Sequence, residues 1–176
     1  YDGPQQGALS GFQLLVDQAG REDKAGAQLQ RLAAGIQFSI PGMPCIYYGD
    51  ETGMHGLLDP FNRAPYPWRG IDAELLEKYR CLGGLRNSKS VLNSGFFRTL
   101  YANGDVFVYA RYFDNKKDVF GKKCDFDIAV CAINRSFEVK TVTVDVSDIT
   151  VDTIKCILYY FCNFKFILFI HCRLFS

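Results

Sequence analysis

Side chains able to do chemistry gather between residues 47 and 68: the adjacent acids Asp50 and Glu51, then His55, Asp59, Asn62 and Arg63, with Tyr47, Tyr48, Tyr66 and Trp68 interleaved. Two carboxylates could act as acid and base, yet adjacent residues leaving a strand point in opposite directions. Asp50 and Glu51 therefore make a poor matched pair, and hydrogen bonding to neighbouring loops is the role expected of them. Asp59 and Arg63 offer something different. A carboxylate accepts and a guanidinium donates, so the two could engage vicinal hydroxyls in complementary fashion, or bridge one another to shape the turn. Asn62 and His55 are expected to scaffold the loop. Tyr47 and Tyr48 are expected to fill space, as aromatics of an α/β core mostly do, while Trp68 divides evenly between packing and presenting a flat face to a ligand.

The elements around this cluster must hold it in place. Residues 49–70 include three prolines and four glycines, and a loop of that length in a compact chain is usually functional or disordered. Its aromatic and charged content disfavours disorder. Upstream, Cys45 to Tyr48 is a short apolar run between Pro44 and Gly49, which predicts a strand buried on both faces, as in parallel sheets. Before it, Ala25, Leu29, Leu32, Ala33, Ile36 and Ile40 recur at helical spacing. That helix, over about 22–40, has Glu22 and Asp23 in its first turn and Pro41-Gly42 as its stop. Downstream, Asp72 can cap a second helix whose Leu75, Leu76, Tyr79 and Leu82 share a face, with Gly83-Gly84 weakening its end. Helix followed by buried strand is the rhythm of an α/β fold.

From Phe96 the apolar period changes to two. Strands are expected over 96–101, 106–113, 128–134 and 139–146, with Asn103-Gly104-Asp105 as a hairpin turn and the Lys-rich 115–127 as an elongated hairpin loop. Together they predict an antiparallel β domain. The last stretch, 156–176, is overwhelmingly apolar but interrupted by Asn163 and Lys165. A membrane helix needs about 20 apolar residues, and a central Lys costs roughly 2.5–3.5 kcal/mol. A tail anchor and a core strand pair are both less favoured here than sequence foreign to the fold, such as translation past a frameshift.

Composition narrows the function classes. The chain of 176 residues has a formal charge of +1, 48% apolar and 22% charged residues. That is globular composition without the basic field that nucleic acid or an anionic membrane surface would attract. Seven cysteines form an odd set without a C-x-x-C pair, which reads as reduced thiols and a cytoplasmic protein. No metal or other cofactor is expected, because closely spaced ligand pairs are missing and the histidines are only His55 and His171. Tyr1 in place of an initiator Met marks the N-terminus as a cut.

One stretch carries a resemblance. Ser39-Ile-Pro-Gly-Met-Pro-Cys-Ile-Tyr-Tyr-Gly-Asp-Glu-Thr-Gly-Met-His-Gly, followed by Asp59-Pro-Phe-Asn-Arg63 and Pro65-Tyr-Pro-Trp68, resembles the α-amylase superfamily of glycoside hydrolases. The likeness is to its neopullulanase, cyclomaltodextrinase and maltogenic amylase-like branch. Weaker likeness runs through Glu74–Asn87, Phe96–Tyr101, Val106–Arg111 and Ala132–Ser136, and ends near Thr150.

The resemblance implies a division into 1–87, the C-terminal part of a catalytic (β/α)8 TIM barrel; 88–154, an incomplete antiparallel β-sandwich; and 155–176, an apolar tail outside the fold. A whole barrel takes roughly 250 residues, so the expectation is a fragment. The parent would be a retaining hydrolase of α-1,4 bonds, with α-1,6 as a second linkage, in maltooligosaccharides, cyclomaltodextrins or pullulan, and a homodimer. Asp59 and Arg63 would bind a glucose unit, and Trp68 would stack on sugar. Asp50, Glu51, His55 and Asn62 would build the active-site rim, which in a barrel lies at the C-terminal ends of the strands. Glycoside hydrolysis needs two opposed carboxyl groups. The family places these on strands absent here, and no His-Asp dipeptide occurs, so no catalytic residue is expected in the chain. The alternative is a non-catalytic carbohydrate-binding β-sandwich module with 96–147 as its platform.

Overall fold

A computed structural model describes residues 26–54, 63–125, 127–136 and 138–149, and the backbone alone of 157–161 and 167–171. The helical pattern forms α1 over 26–39, and Pro41-Gly42 ends it as expected, with Gly42 at φ 113°. α2, Ala73–Ser88, starts where Asp72 accepts the Leu75 N–H at 2.9 Å. It runs through Gly83-Gly84 without breaking, because Tyr79 and Arg86 on either side of them are buried. Ala34 and Phe38 of α1 pack on Leu75 and Tyr79 of α2. The Phe38 and Tyr79 rings meet edge to face at 6.1 Å, the arrangement that their quadrupoles prefer. Burying a side chain such as Leu75 stabilises the contact by about 1.5–3 kcal/mol. A short α3, Ser90–Ser94, follows with Val91 and Leu92 buried.

β1, Phe96–Asn103, β2, Val106–Tyr112, and β3, Ile128–Asn134, form the expected antiparallel meander. The first two join through Gly104-Asp105, and Gly104 takes the φ of 55° that a tight hairpin demands. Alternation gives β2 and β3 two buried faces. On one, Val106, Val108, Ala110, Ile128, Val130 and Ala132 meet Val142, Val144 and Val146. On the other, Tyr109, Cys131 and Ile133 receive Leu32 and Ile36 of α1 and Ile40 just past its end. Helix α1 is thus clamped between α2 and the sheet.

Two buried arginines close the joint between helices and sheet. Arg111, 1% exposed, donates to the carbonyls of Ser39, Leu92 and Gly95 at 2.9 Å and of Phe96 at 3.3 Å. Arg86 donates to the carbonyls of Phe38, Ile40 and Gly42. Arg86 collects orphan carbonyls at the C-terminal end of α1, where the helix dipole favours a cation, and Arg111 ties Ser39 there to the chain at and after α3. Burial, and then the charge of Arg86, pull Arg111 down to about 10.

Three expectations need correction. Residues 45–48 are not a strand: 43–47 have no regular structure, and Ile46, Tyr47 and Tyr48 are 43%, 57% and 42% exposed. An interior strand needs ladder partners on its edges, and no neighbouring strand lies beside this segment among the described residues. The fourth expected strand exists as β4, Thr141–Asp145, but does not extend the meander; it lies across the valine face and pairs with a different strand. The expectation of an apolar tail outside the fold gives way over 157–161 and 167–171. Its backbone supplies β5, Ile157–Phe161, parallel to β3, and β6, Ile167–His171, parallel to β4. Apolar runs rich in Ile and aromatic residues suit strands, and β3 and β4 offered open edges.

Candidate functional site

The acidic pair sits on a turn that its own loop holds. Gly49 opens it at φ 94°, and a Cβ there would meet the Met54 Sδ at 2.6 Å, so only glycine fits. Asp50–Thr52 then forms one turn of 3-10 helix. The Asp50 carboxylate accepts the Tyr47 N–H at 3.2 Å. Glu51 accepts the Gly49 N–H at 3.0 Å through Oε2 and the Tyr66 hydroxyl at 3.1 Å through Oε1. Partial burial, and then that bond to Glu51, raise the Tyr66 phenol above its usual value. Neighbouring helices fix the turn from outside. Gln30 of α1 donates to the Asp50 carbonyl at 2.7 Å, and the Asp72 N–H at the head of α2 donates to the Thr52 carbonyl at 3.1 Å. One oxygen of Asp50 and both of Glu51 thus accept from loop donors.

Beside the turn lies an aromatic surface. The Tyr47 and Tyr48 rings meet at a tilt of 44° with centroids 4.9 Å apart, and those of Tyr66 and Trp68 at a tilt of 56° and 4.8 Å. The Tyr48 hydroxyl donates to the Ala64 carbonyl at 3.1 Å, stapling the two segments together. Tyr47 and Tyr48 are therefore not core fillers, because the strand that would have buried them does not form. Trp68 is 80% exposed, and Arg63 is exposed as well. His55, Asp59 and Asn62 lie outside the described residues, and with them the Asp59–Arg63 pairing. Among the described residues, no cluster of His, Cys, Asp and Glu could hold a metal ion.

Sequence reasoning missed the ties that fix the turn. Gln30 reaches Asp50 across 20 positions and Tyr66 reaches Glu51 across 15, and no local spacing announces such contacts. Chemically, the arrangement is a rigid acidic turn next to exposed, hydrogen-bonded aromatic rings. It can present flat apolar faces and polar edges to a ligand, but its acids are committed to backbone and phenol donors.

No family model matches the chain. It is 41% identical over 127 residues to an amylopullulanase of Thermoanaerobacter thermohydrosulfuricus, which is 72% of this chain and 8% of that protein. Over 88 residues it is 39% identical to a cyclomaltodextrinase of Thermoanaerobacter pseudethanolicus, 49% of this chain and 15% of that one. A solved debranching enzyme from Nostoc punctiforme overlays with a TM-score of 0.46 at 32% identity, covering 51% of this chain and 18% of that structure. The chain thus spans a small part of the length of each relative.

Proposed function

We infer, for a chain that belongs over its matched residues to the α-amylase family of glycoside hydrolases, that it is one part of an enzyme cleaving or transferring α-glucosidic bonds in α-glucans. The observation carrying this is the 41% identity over 127 residues, which a chance likeness of composition would not produce. In this reading α1, α2 and the turn at 49–54 are the closing piece of a (β/α)8 barrel, and β1–β4 belong to a C-terminal β-sandwich. Segment 45–48 would become the missing barrel strand only when neighbouring strands flank it.

The bond-breaking carboxylates belong to other parts of the parent, which would act by double displacement through a glycosyl-enzyme intermediate. Asp50 and Glu51 keep the rim turn in shape by the hydrogen bonds described above. Asp59 and Arg63 would accept from and donate to glucose hydroxyls, with Trp68 offering its ring face. His55 and Asn62 would support the loop. A cytoplasmic, homodimeric parent completes the proposal.

Purified 1–176 should release no reducing sugar from maltooligosaccharides above a buffer control, and turnover would overturn the placement of the carboxylates. Grafting residues 39–149 into the matching stretch of the Thermoanaerobacter thermohydrosulfuricus relative should preserve its hydrolysis. In that graft, Arg63→Ala or Trp68→Ala should raise KM at least fivefold; an unchanged KM would remove these residues from the glucan site.

A further inference from the structure

A second concave surface lies away from the acidic turn, between α1 and the β1–β2 hairpin. It is an open groove of about 460 Å³, within the roughly 300–1,000 Å³ of small-ligand clefts. Leu32 and Ile36 of α1 and Phe107 of β2 form an apolar floor with the buried Ile133 beneath. Phe107 is the end of an aromatic ladder: its ring lies 5.1 Å from Tyr109, which lies 5.1 Å from Phe97. The floor is therefore held rigid by the sheet. Asp105 and Arg135 stand on the rim, bonded Nε to Oδ1 at 2.6 Å and through the Arg135 N–H to the Asp105 carbonyl at 3.0 Å. That pairing leaves Asp105 Oδ2 and both terminal nitrogens of Arg135 without a hydrogen-bond partner among the described residues.

We propose that this groove binds a neutral α-glucan chain, with Leu32, Ile36 and Phe107 against the sugar faces and Asp105 with Arg135 on the hydroxyls. The rim selects the chemistry. Its two charges already neutralise each other, so an ionic ligand gains no net attraction and would have to break the pair. A neutral polyol meets no such cost, since one hydroxyl can donate to Oδ2 while its neighbour accepts from the guanidinium, both at preset positions. The apolar floor suits the C–H face of a pyranose, and an entirely hydrocarbon ligand would strip water from the rim without replacing its hydrogen bonds. The choice of glucan rests on the functional reading above; the location does not.

The test is titration of the full chain with maltoheptaose, followed by amide chemical shifts and by calorimetry. Saturable shifts at Gly104, Asp105, Phe107 and Arg135 are expected in the wild type, and Arg135→Leu should weaken that binding at least fivefold while Phe120→Ala, an exposed ring in neither surface, leaves it within twofold. Asp105→Asn, which keeps side-chain shape, provides the same reading if Arg135→Leu unfolds. Shifts confined to 63–70, with affinity lost only in Trp68→Ala, would overturn the groove while leaving the glucan reading intact. Absence of any shift at millimolar sugar would likewise overturn the groove, whereas the functional reading stands or falls on hydrolysis by the graft.

Discussion

The meander at 96–134 and the segment at 43–72 solve the same problem in opposite ways. In β2 and β3 nearly every side chain is buried, because α1 covers one face and β4 the other. In the loop, the polar groups find partners while the apolar ones do not: Met43 is 92% exposed and Trp68 80%. Hydrogen bonds can be satisfied by neighbours a few residues away, as between Asp50 and Tyr47, whereas burying an aromatic ring requires a second surface. The described residues of the loop, 43–54 and 63–72, therefore keep a defined shape without a core. In the reading proposed above, the remainder of a barrel supplies that second surface.

The contrast can be tested by substitution, and the joint between the regions should respond most. Arg111→Met leaves the carbonyls of Ser39, Leu92, Gly95 and Phe96 without their donor. A loss of about 3–5 kcal/mol is expected in urea unfolding, the range for stranding buried polar partners. A loss below about 1 kcal/mol would mean that the joint is not what unites helices and sheet. Within the sheet, Val130→Ala removes two methyl groups from a site with 0% exposure, and about 2 kcal/mol should disappear from the same curve.

Tyr109→Phe probes the joint by pH. Its hydroxyl shares a 2.6 Å hydrogen bond with Ser39, worth about 1 kcal/mol at neutral pH. Burial, and then the neighbouring Cys131, raise the Tyr109 phenol far above its ordinary value. The folded chain thus retains a proton that the unfolded chain gives up above about pH 10. Stability from this group is fully present below pH 10 and falls as pH rises beyond it. Arg111, lowered to about 10, works the other way over the same range, since there the unfolded chain holds the extra proton. Stability of the wild type relative to Tyr109→Phe should consequently shrink, then reverse, between pH 9 and 11; a constant gap would show that the phenol titrates normally. Trp68→Ala in the loop should shift stability by less than about 0.5 kcal/mol. A larger loss would place Trp68 inside a core and erase the contrast drawn here.

Much of this architecture could be read from local pattern. The stripe of Leu32, Ile36 and Ile40 foretold α1, Asp72 foretold the start of α2, and alternation with Asn103-Gly104-Asp105 foretold the hairpin. Their adjacency predicts that Asp50 and Glu51 hydrogen-bond to neighbouring loops, whereas the side-chain bonds observed stay within residues 47–66 of their own loop. The strand expected at 45–48 could not be decided in the same way, since an apolar run specifies a preference for partners and not their presence.

Residue type, spacing and turn chemistry determined which segments of this chain become helix or antiparallel strand, because those choices depend on interactions within a few positions. Tertiary structure alone decided that Arg86 and Arg111 would gather the helix-end carbonyls, that β4 would cross the valine face, and that Asp105 and Arg135 would meet on the rim of a groove floored by α1. Each of those contacts joins residues far apart in the chain, and their energies arise only once the intervening segments have packed.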